Sequence, residues 1–218
     1  MRRGCSESRP ALAHCNRLRQ QPVWQAEAVE QFKLFGEPLR DPASGLYVHF
    51  GDKESGQETT AYWTRGSGWV VVSLVELIRS EKAGSTADRK LRAALGRHFA
   101  ALCWHQDPAS GLWHTVLDAP DTPLETSAAA MYLYGLAQAR RWNLEDAPPA
   151  SVLRRVWQGL SQQVDAQGRV VGVSAGTIPG DKARYTARPR GTYPWGMGAF
   201  LLAAVAMAEL EAGAATNR

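Results

Sequence analysis

Cysteine is scarce in this chain: Cys5, Cys15 and Cys103 are the three among 218 residues. An odd count with no C-x-x-C spacing argues against a disulfide framework or a zinc ligand set, and it fits free thiols in a reducing compartment. Long apolar runs are missing too. The opening MRRGCSESRPALAHC carries two arginines with no apolar stretch behind them, and no later run reaches the roughly 18 apolar residues of a membrane span. The expectation is a cytoplasmic protein without a membrane partner. Charge of one sign is gathered nowhere: a net charge of +4 is spread along the chain. That pattern fits an anionic substrate better than nucleic acid.

With 44% apolar residues, the chain is long enough for one sizeable core or a large piece of a bigger one. Its main internal feature is a repeat. Asp41-Pro-Ala-Ser-Gly-Leu-Tyr recurs 66 positions later as Asp107-Pro-Ala-Ser-Gly-Leu-Trp, and a looser echo, Asp165-Ala-Gln-Gly-Arg-Val, follows 58 positions after that. An Asp with a Gly three or four residues on suits a tight turn that needs positive φ at the glycine.

Helical patterns flank each turn. Residues 23–35, 87–104 and 150–164 lead into the turns; the last carries Leu153, Val156, Trp157, Leu160 and Val164 as one apolar stripe, the mark of an outer, one-faced helix. Residues 69–78, 125–140 and 197–210 follow the turns and are apolar nearly all round, rich in small residues such as Ala128, Ala129, Ala130, Ala203 and Ala204. These read as inner helices buried on most sides. Thr122-Pro123-Leu124-Glu125 predicts the start of the second, with a threonine cap, proline at the first helical position and a capping-box glutamate. Three outer-turn-inner units with a period near 60 residues define an all-α array of hairpins. That period exceeds the roughly 34 residues of tetratricopeptide repeats and the roughly 40 to 47 of armadillo repeats, and it fits a helical toroid with binding loops at one end of its inner helices.

The densest chemical cluster is Tyr62-Trp63-Thr64-Arg65-Gly66-Ser67-Gly68-Trp69, ahead of the first inner helix. Indole faces can stack on a sugar ring, and a guanidinium can hold a carboxylate through two hydrogen bonds. The same aromatics could instead plug the core. His49 follows the first turn with Asp52 close behind; a lone loop histidine is more often structural or solvated than catalytic. Trp113-His114 takes the equivalent place in the second unit, whereas Val170 and Val171 take it in the third, so the turn itself does not demand polar or aromatic residues there. Arg184, Tyr185, Arg188 and Arg190 precede Tyr193-Pro194-Trp195-Gly196, and these could converge with the first cluster on one cleft or form a solvated basic loop.

Leu39-Arg40-Asp41-Pro42, Gly45-Leu46-Tyr47 and His49, then Trp63-x-Arg65-Gly66-x-Gly68-Trp69, resemble the active-site stretch of the unsaturated rhamnogalacturonyl hydrolases of glycoside hydrolase family 105 and the related family 88 glucuronyl hydrolases. Gly111-Leu112-Trp113, Glu125-Thr126-Ser127 and Pro194-x-Gly196-x-Gly198 follow in the family's order, so the resemblance runs from about residue 22 to the end. It implies an (α/α)6 barrel of twelve helices and a reaction outside the usual two-carboxylate scheme of glycosidases. In that reaction an aspartate hydrates the C4=C5 enol ether of a terminal unsaturated uronyl residue, and the resulting hemiketal opens to release the neighbouring sugar. No metal or cofactor is implied. His49, Trp63, Arg65 and Trp69 match the positions that line the uronyl subsite.

This chain departs from the family in two ways. About half of the barrel helices are countable, and the family's catalytic aspartate belongs before the first turn, yet the first aspartate here is Asp41. Glu7 is the single acid before Pro22, and residues 1–21 read as an atypical segment outside the family fold. Residues 22–218 read as the C-terminal portion of the hydrolase domain, so the sequence predicts a truncated or misframed member with impaired catalysis. Glu7 and Asp52 are the poor substitutes available, and the uncovered inner-helix faces predict self-association. A non-catalytic sugar-binding remnant is the alternative, and a purely structural helical scaffold is a third reading.

Overall fold

The computed structural model of the protein describes residues 3–4, 22–52, 57–145 and 147–216. Cys5, Glu7, Cys15 and most of the atypical segment therefore lie outside the described residues, as does the side chain of Asp52.

The repeated motif is a repeated turn. The N–H groups of Asp41 and Asp107 donate to the carbonyls of Leu46 and Leu112, each at 2.9 Å, while each Asp carbonyl receives the N–H of the glycine four residues on. The carboxylates hold the turn from inside: Ser44 Oγ and Ser110 Oγ each donate to their Asp at 2.5 Å. Gly45, Gly111 and Gly168 take φ of 75°, 73° and 76°, left-handed backbone that other residues adopt at a cost.

Seven α-helices and two small antiparallel sheets make up the described residues. The outer helices are α1 (Pro22–Gln31), α3 (Thr86–Trp104) and α5 (Ala150–Ser161). The inner ones are α2 (Thr64–Ser80), α4 (Thr126–Arg141) and α7 (Pro194–Thr216), with a short α6 (Lys182–Thr186) before the last. A π turn (Phe32–Gly36) and a 3-10 turn (Glu37–Leu39) carry α1 into the first repeated turn. Strands β1 (Arg3–Gly4), β2 (Phe50–Asp52) and β3 (Gln57–Glu58) pair in that order, and β4 (Val173–Ser174) pairs with β5 (Arg190–Gly191).

The alternation of outer and inner helices is as expected, with helix starts that differ. α2 begins at Thr64, so Arg65 and Trp69 sit within its first two turns and not ahead of it. α4 begins at Thr126, with Glu125 as its N-cap, and Thr122 does not cap it. The reason is a local hairpin: Thr115 N–H donates to Pro123 O at 2.7 Å and Glu125 N–H to Trp113 O at 2.8 Å, which holds 122–125 extended. The Thr122 hydroxyl instead donates to Ala119 O at 2.7 Å. The small strands, too short to show a period of two, were not expected from the sequence.

The core centres on α4, which lies between α2 and α7 with α5 behind it. Every residue from Thr126 to Ala139 is buried. At Gly135 a Cβ would come within 2.3 Å of Val71 Cγ1 on α2, so the missing side chain is what lets the two helices approach. Trp113 is wholly buried and its indole N–H donates to Leu102 O at 2.7 Å. α7 departs from the expectation of burial on most sides. Its outer positions Leu201, Leu202 and Val205 are 55%, 48% and 59% exposed. Its 20-residue stretch Pro194–Gly213, with mean hydropathy 1.4, is by length and composition apolar enough to cross a membrane; glycine and glutamate interrupt it, so no uninterrupted apolar run marks it in the sequence. Cys103, on α3, is a free and half-buried thiol whose pKa burial raises.

Candidate active site

Three segments far apart in sequence meet at the N-terminal end of α2. His49 enters from the loop after the first turn, where its N–H and that of Phe50 both donate to Thr59 Oγ1 at 3.1 Å. Its ring lies 4.4 Å from that of Trp63, the residue that precedes α2. Tyr185, from α6, completes the stack: its ring is 5.7 Å from Trp63 at an interplanar angle of 12°, and its hydroxyl is 2.9 Å from His49 Nδ1. Gly180 N–H donates to the same hydroxyl at 3.0 Å, which anchors the tyrosine from its other side. His49 and Tyr185 are both buried. Burial, with the neighbouring Arg65 charge second, lowers the His49 pKa to about 4, so the imidazole is neutral near pH 7.

Arg65 lies one turn further along. Its guanidinium carbon sits 4.8 Å from the Trp63 ring and 5.6 Å from that of Trp195, a cation held between two indoles. Nη1 donates to Ser174 O at 2.7 Å and to Ser174 Oγ at 2.8 Å, and Nη2 donates to Ala175 O at 2.9 Å. With 3% of its surface exposed, Arg65 clamps the strand β4 as well as facing the cluster. Tyr193 and Trp195 stack on each other at 4.7 Å and 7°, both partly exposed, and form the open aromatic face of the site.

Glu125 is the group that sequence reasoning did not single out for this site. Its carboxylate is fully buried, 3.6 Å from Arg65 Nη1 and 3.8 Å from Arg190 Nη1. It also accepts Ser127 Oγ at 2.6 Å and Ser174 N–H at 3.2 Å. The side chain thus joins the start of α4 to α2 and to both strands of the second sheet. Its position just before an alanine-rich helix was legible as a cap; its two arginine partners, 60 and 65 positions away, were not.

His49, Trp63 and Arg65 are therefore brought together, joined by Tyr185 and Trp195, while Trp69 is placed elsewhere. It lines a groove of about 490 Å3 between the inner helices, with Val72 and Arg79 of α2, Tyr134 of α4 and Leu202 and Val205 of α7. The six-residue step along α2 turns it away from Trp63. Arg190 goes to Glu125, whereas Arg184 and Arg188 line a separate shallow depression beside α6. His114 contacts Thr122 O and Trp113 fills the core, so neither joins the site.

Among the described residues several other carboxylates have structural work, while Asp118 is exposed in the loop whose Leu117 N–H donates to Tyr62 O at 3.0 Å. Asp41, Asp107 and Asp165 hold their own turns. Asp88 pairs with Arg92 at 2.7 Å, Asp121 pairs with Lys182 at 2.7 Å, and Asp181 caps α6. No group of three or more histidine, cysteine or acidic side chains suited to a metal occurs among the described residues.

A buried histidine and arginine are thus interleaved with three aromatic rings at one end of an inner helix. Comparison with known proteins gives the family. The Glycosyl Hydrolase Family 88 model matches residues 8–211, and the chain belongs to this family, in the wider grouping of families 88 and 105. It is 28% identical over 167 residues to the unsaturated rhamnogalacturonyl hydrolase YesR of Bacillus subtilis, covering 76% of this chain and 46% of that protein. It is 33% identical over 168 residues to the 24.9 kDa protein in picA locus of Rhizobium radiobacter, covering 67% of this chain and 70% of the other. A crystal structure from Salmonella enterica, described as a possible member of the GH105 family, superposes with a TM-score of 0.83 at 29% identity, covering 90% of this chain and 53% of that one. The chain thus spans about half the length of the YesR and Salmonella proteins.

Proposed function

We propose that this chain carries the sugar-binding end of an unsaturated glycuronyl hydrolase, with a terminal 4,5-unsaturated galacturonyl residue linked to rhamnose as its substrate type. The convergence of His49, Trp63, Arg65, Tyr185 and Trp195 on one cluster is the observation that carries the reading. The Tyr193–Trp195 face offers a stacking platform, and the guanidinium between two indoles supplies positive charge for the uronate. The neutral imidazole of His49, held by Tyr185, offers hydrogen bonding without adding a second charge. Trp69, in the separate groove between the inner helices, is the remaining sugar contact in this reading. The reaction adds a proton to C4 and water oxygen to C5 of the enol ether; the hemiketal opens and the neighbouring sugar leaves.

General acid–base work of this kind needs a carboxyl within hydrogen-bond reach of the reacting carbons. Glu125 is buried between two arginines and occupied as a cap, and Asp118, the exposed acid of the neighbouring loop, is not among the stacked residues, so in this reading the acid lies outside the described residues and activity of this chain is impaired. In this reading residues 22–218 form three of six hairpins in a partial (α/α)6 barrel, and the apolar face of α7 drives self-association. A sugar-binding protein without turnover is the second reading, favoured by the lack of an uncommitted acid in the cluster among the described residues.

The test is turnover of an unsaturated galacturonyl-rhamnose disaccharide, followed by loss of enol-ether absorbance, beside tryptophan fluorescence titration with the same sugar. The expected result is a fluorescence change without turnover in this chain and turnover once additional upstream helices are supplied. Absence of a fluorescence change in both forms overturns the sugar-site reading.

A further inference from the structure

A second cavity, of about 630 Å3, opens between the outer helices α1 and α3 and the first turn. That volume is typical of small-ligand sites. α3 shapes it through one face: Ala87, Lys90, Ala94 and Arg97 recur at helical spacing, so alanines leave the space and cations stand at its rim. Phe32 and Leu91, both buried, form an apolar floor. Lys33 and Arg40 close the other side, and among the described residues Glu37 is the one carboxylate in the lining against four cations. Lys33 lies 3.2 Å from Glu30. Among the described residues Arg40, Lys90 and Arg97 have no carboxylate partner within ion-pair distance.

Unpaired cations around a concave, partly apolar pocket are an arrangement for an organic polyanion. Lys90 and Arg97 stand two turns apart, about 10 Å along the helix. A single sugar ring does not bridge that span, whereas a short chain of acidic sugars does. Arginine offers each carboxylate two parallel hydrogen bonds, and lysine a point charge. We propose that this cleft is a second binding site for a short polyuronate, distinct from the His49–Trp63–Arg65 cluster, which holds the body of an acidic polysaccharide on the outer surface. The proposal rests on the uronyl-sugar reading of the substrate class and deepens it.

The probe is saturated trigalacturonate, which lacks the enol ether, titrated calorimetrically into the full chain. The expected result is binding that weakens as salt rises and falls at least tenfold in the Lys90→Glu/Arg97→Glu variant. The milder Lys90→Gln/Arg97→Gln variant should lose part of the affinity with an unchanged melting temperature, which separates charge from folding. The fluorescence response to the unsaturated disaccharide should persist in both variants. Conversely, Trp195→Ala should abolish that response and leave trigalacturonate binding intact. Unchanged affinity in the charge-reversal variant overturns the proposal, as does equal binding of a neutral galactose trisaccharide or of a short single-stranded DNA. Trigalacturonate binding that needs Lys90 and Arg97, in a chain that ignores the disaccharide, upholds the cleft and overturns the hydrolase reading instead.

Discussion

α4 and α7 are both inner helices, both rich in alanine and apolar nearly all round, yet they meet opposite fates. α4 has described neighbours on its flanks and behind it, and every position from Thr126 to Ala139 is buried. α7 packs one side on α4 and leaves Leu201, Leu202 and Val205 uncovered. The two helices carry the same message about burial in their composition. Where each stands in the array decides whether that burial is realised, because a hydrophobic surface gains only from the partner that removes it from water.

The comparison can be broken most forcefully with charge. Ala130→Asp on α4 should cost about 4 kcal/mol or more, since it buries an unpaired carboxylate in a packed interface, whereas Leu202→Asp on α7 should change stability by less than about 0.5 kcal/mol, as for an exposed site. Urea unfolding midpoints of the two variants check this, and similar losses would mean that α7 is covered in solution. Acid should separate the regions in another way. His49 and His98 both have pKa values lowered to about 4, chiefly by burial, and both pack on the first-turn side of the molecule, where His98 lies 4.8 Å from Tyr47. Unfolded histidine titrates near 6.5, so the unfolded chain binds more protons between about pH 6.5 and 4. The stabilisation is complete above that window and is lost as pH falls through it, on the order of 3 kcal/mol per histidine. Hydrogen exchange at pH 5 against pH 7 should show α2 and α3 losing protection before α4 and α7.

Two glycine substitutions give smaller, opposite effects. Gly135→Ala should destabilise by about 2 kcal/mol, an overpacking cost, because its Cβ would meet Val71 at 2.3 Å. Gly198→Ala on α7 meets nothing within 4 Å and should stabilise by up to about 1 kcal/mol through helix propensity and a less flexible unfolded chain. Thermal melts of the pair check both signs. A loss at Gly198 would place a neighbour against that face. Smallest of all is the Lys182–Asp121 pair at 2.7 Å, half-exposed on both sides; Lys182→Ala should cost at most about 0.5 kcal/mol.

Much of the fold was legible because its signals are local. The Asp-Gly turns announce themselves through residue types that hold the turn with their own side chains, and outer helices through one apolar stripe. Helix starts were less legible: α4 begins at Thr126 because the Thr115–Pro123 pairing holds the preceding residues extended, a contact that a capping pattern does not report. In the site, Trp63 and Arg65 were marked by aromatic and basic residues packed into one short stretch, and Tyr185 by a second such stretch. The separation of Trp69 from them follows from its position on the helix, which became visible once α2 was known to start at Thr64.

By itself the sequence determined the helical class, the three-unit repeat, the family and the residue types that gather at the site, since each depends on contacts within a few turns of chain or on motifs read in order. Only the tertiary structure decided that Tyr185 stacks on Trp63, that Glu125 binds Arg65 and Arg190, and that α7 stays half uncovered while α4 does not. Those outcomes depend on which distant segments come to lie side by side, and pairing across 60 to 136 positions leaves no periodic trace in the chain.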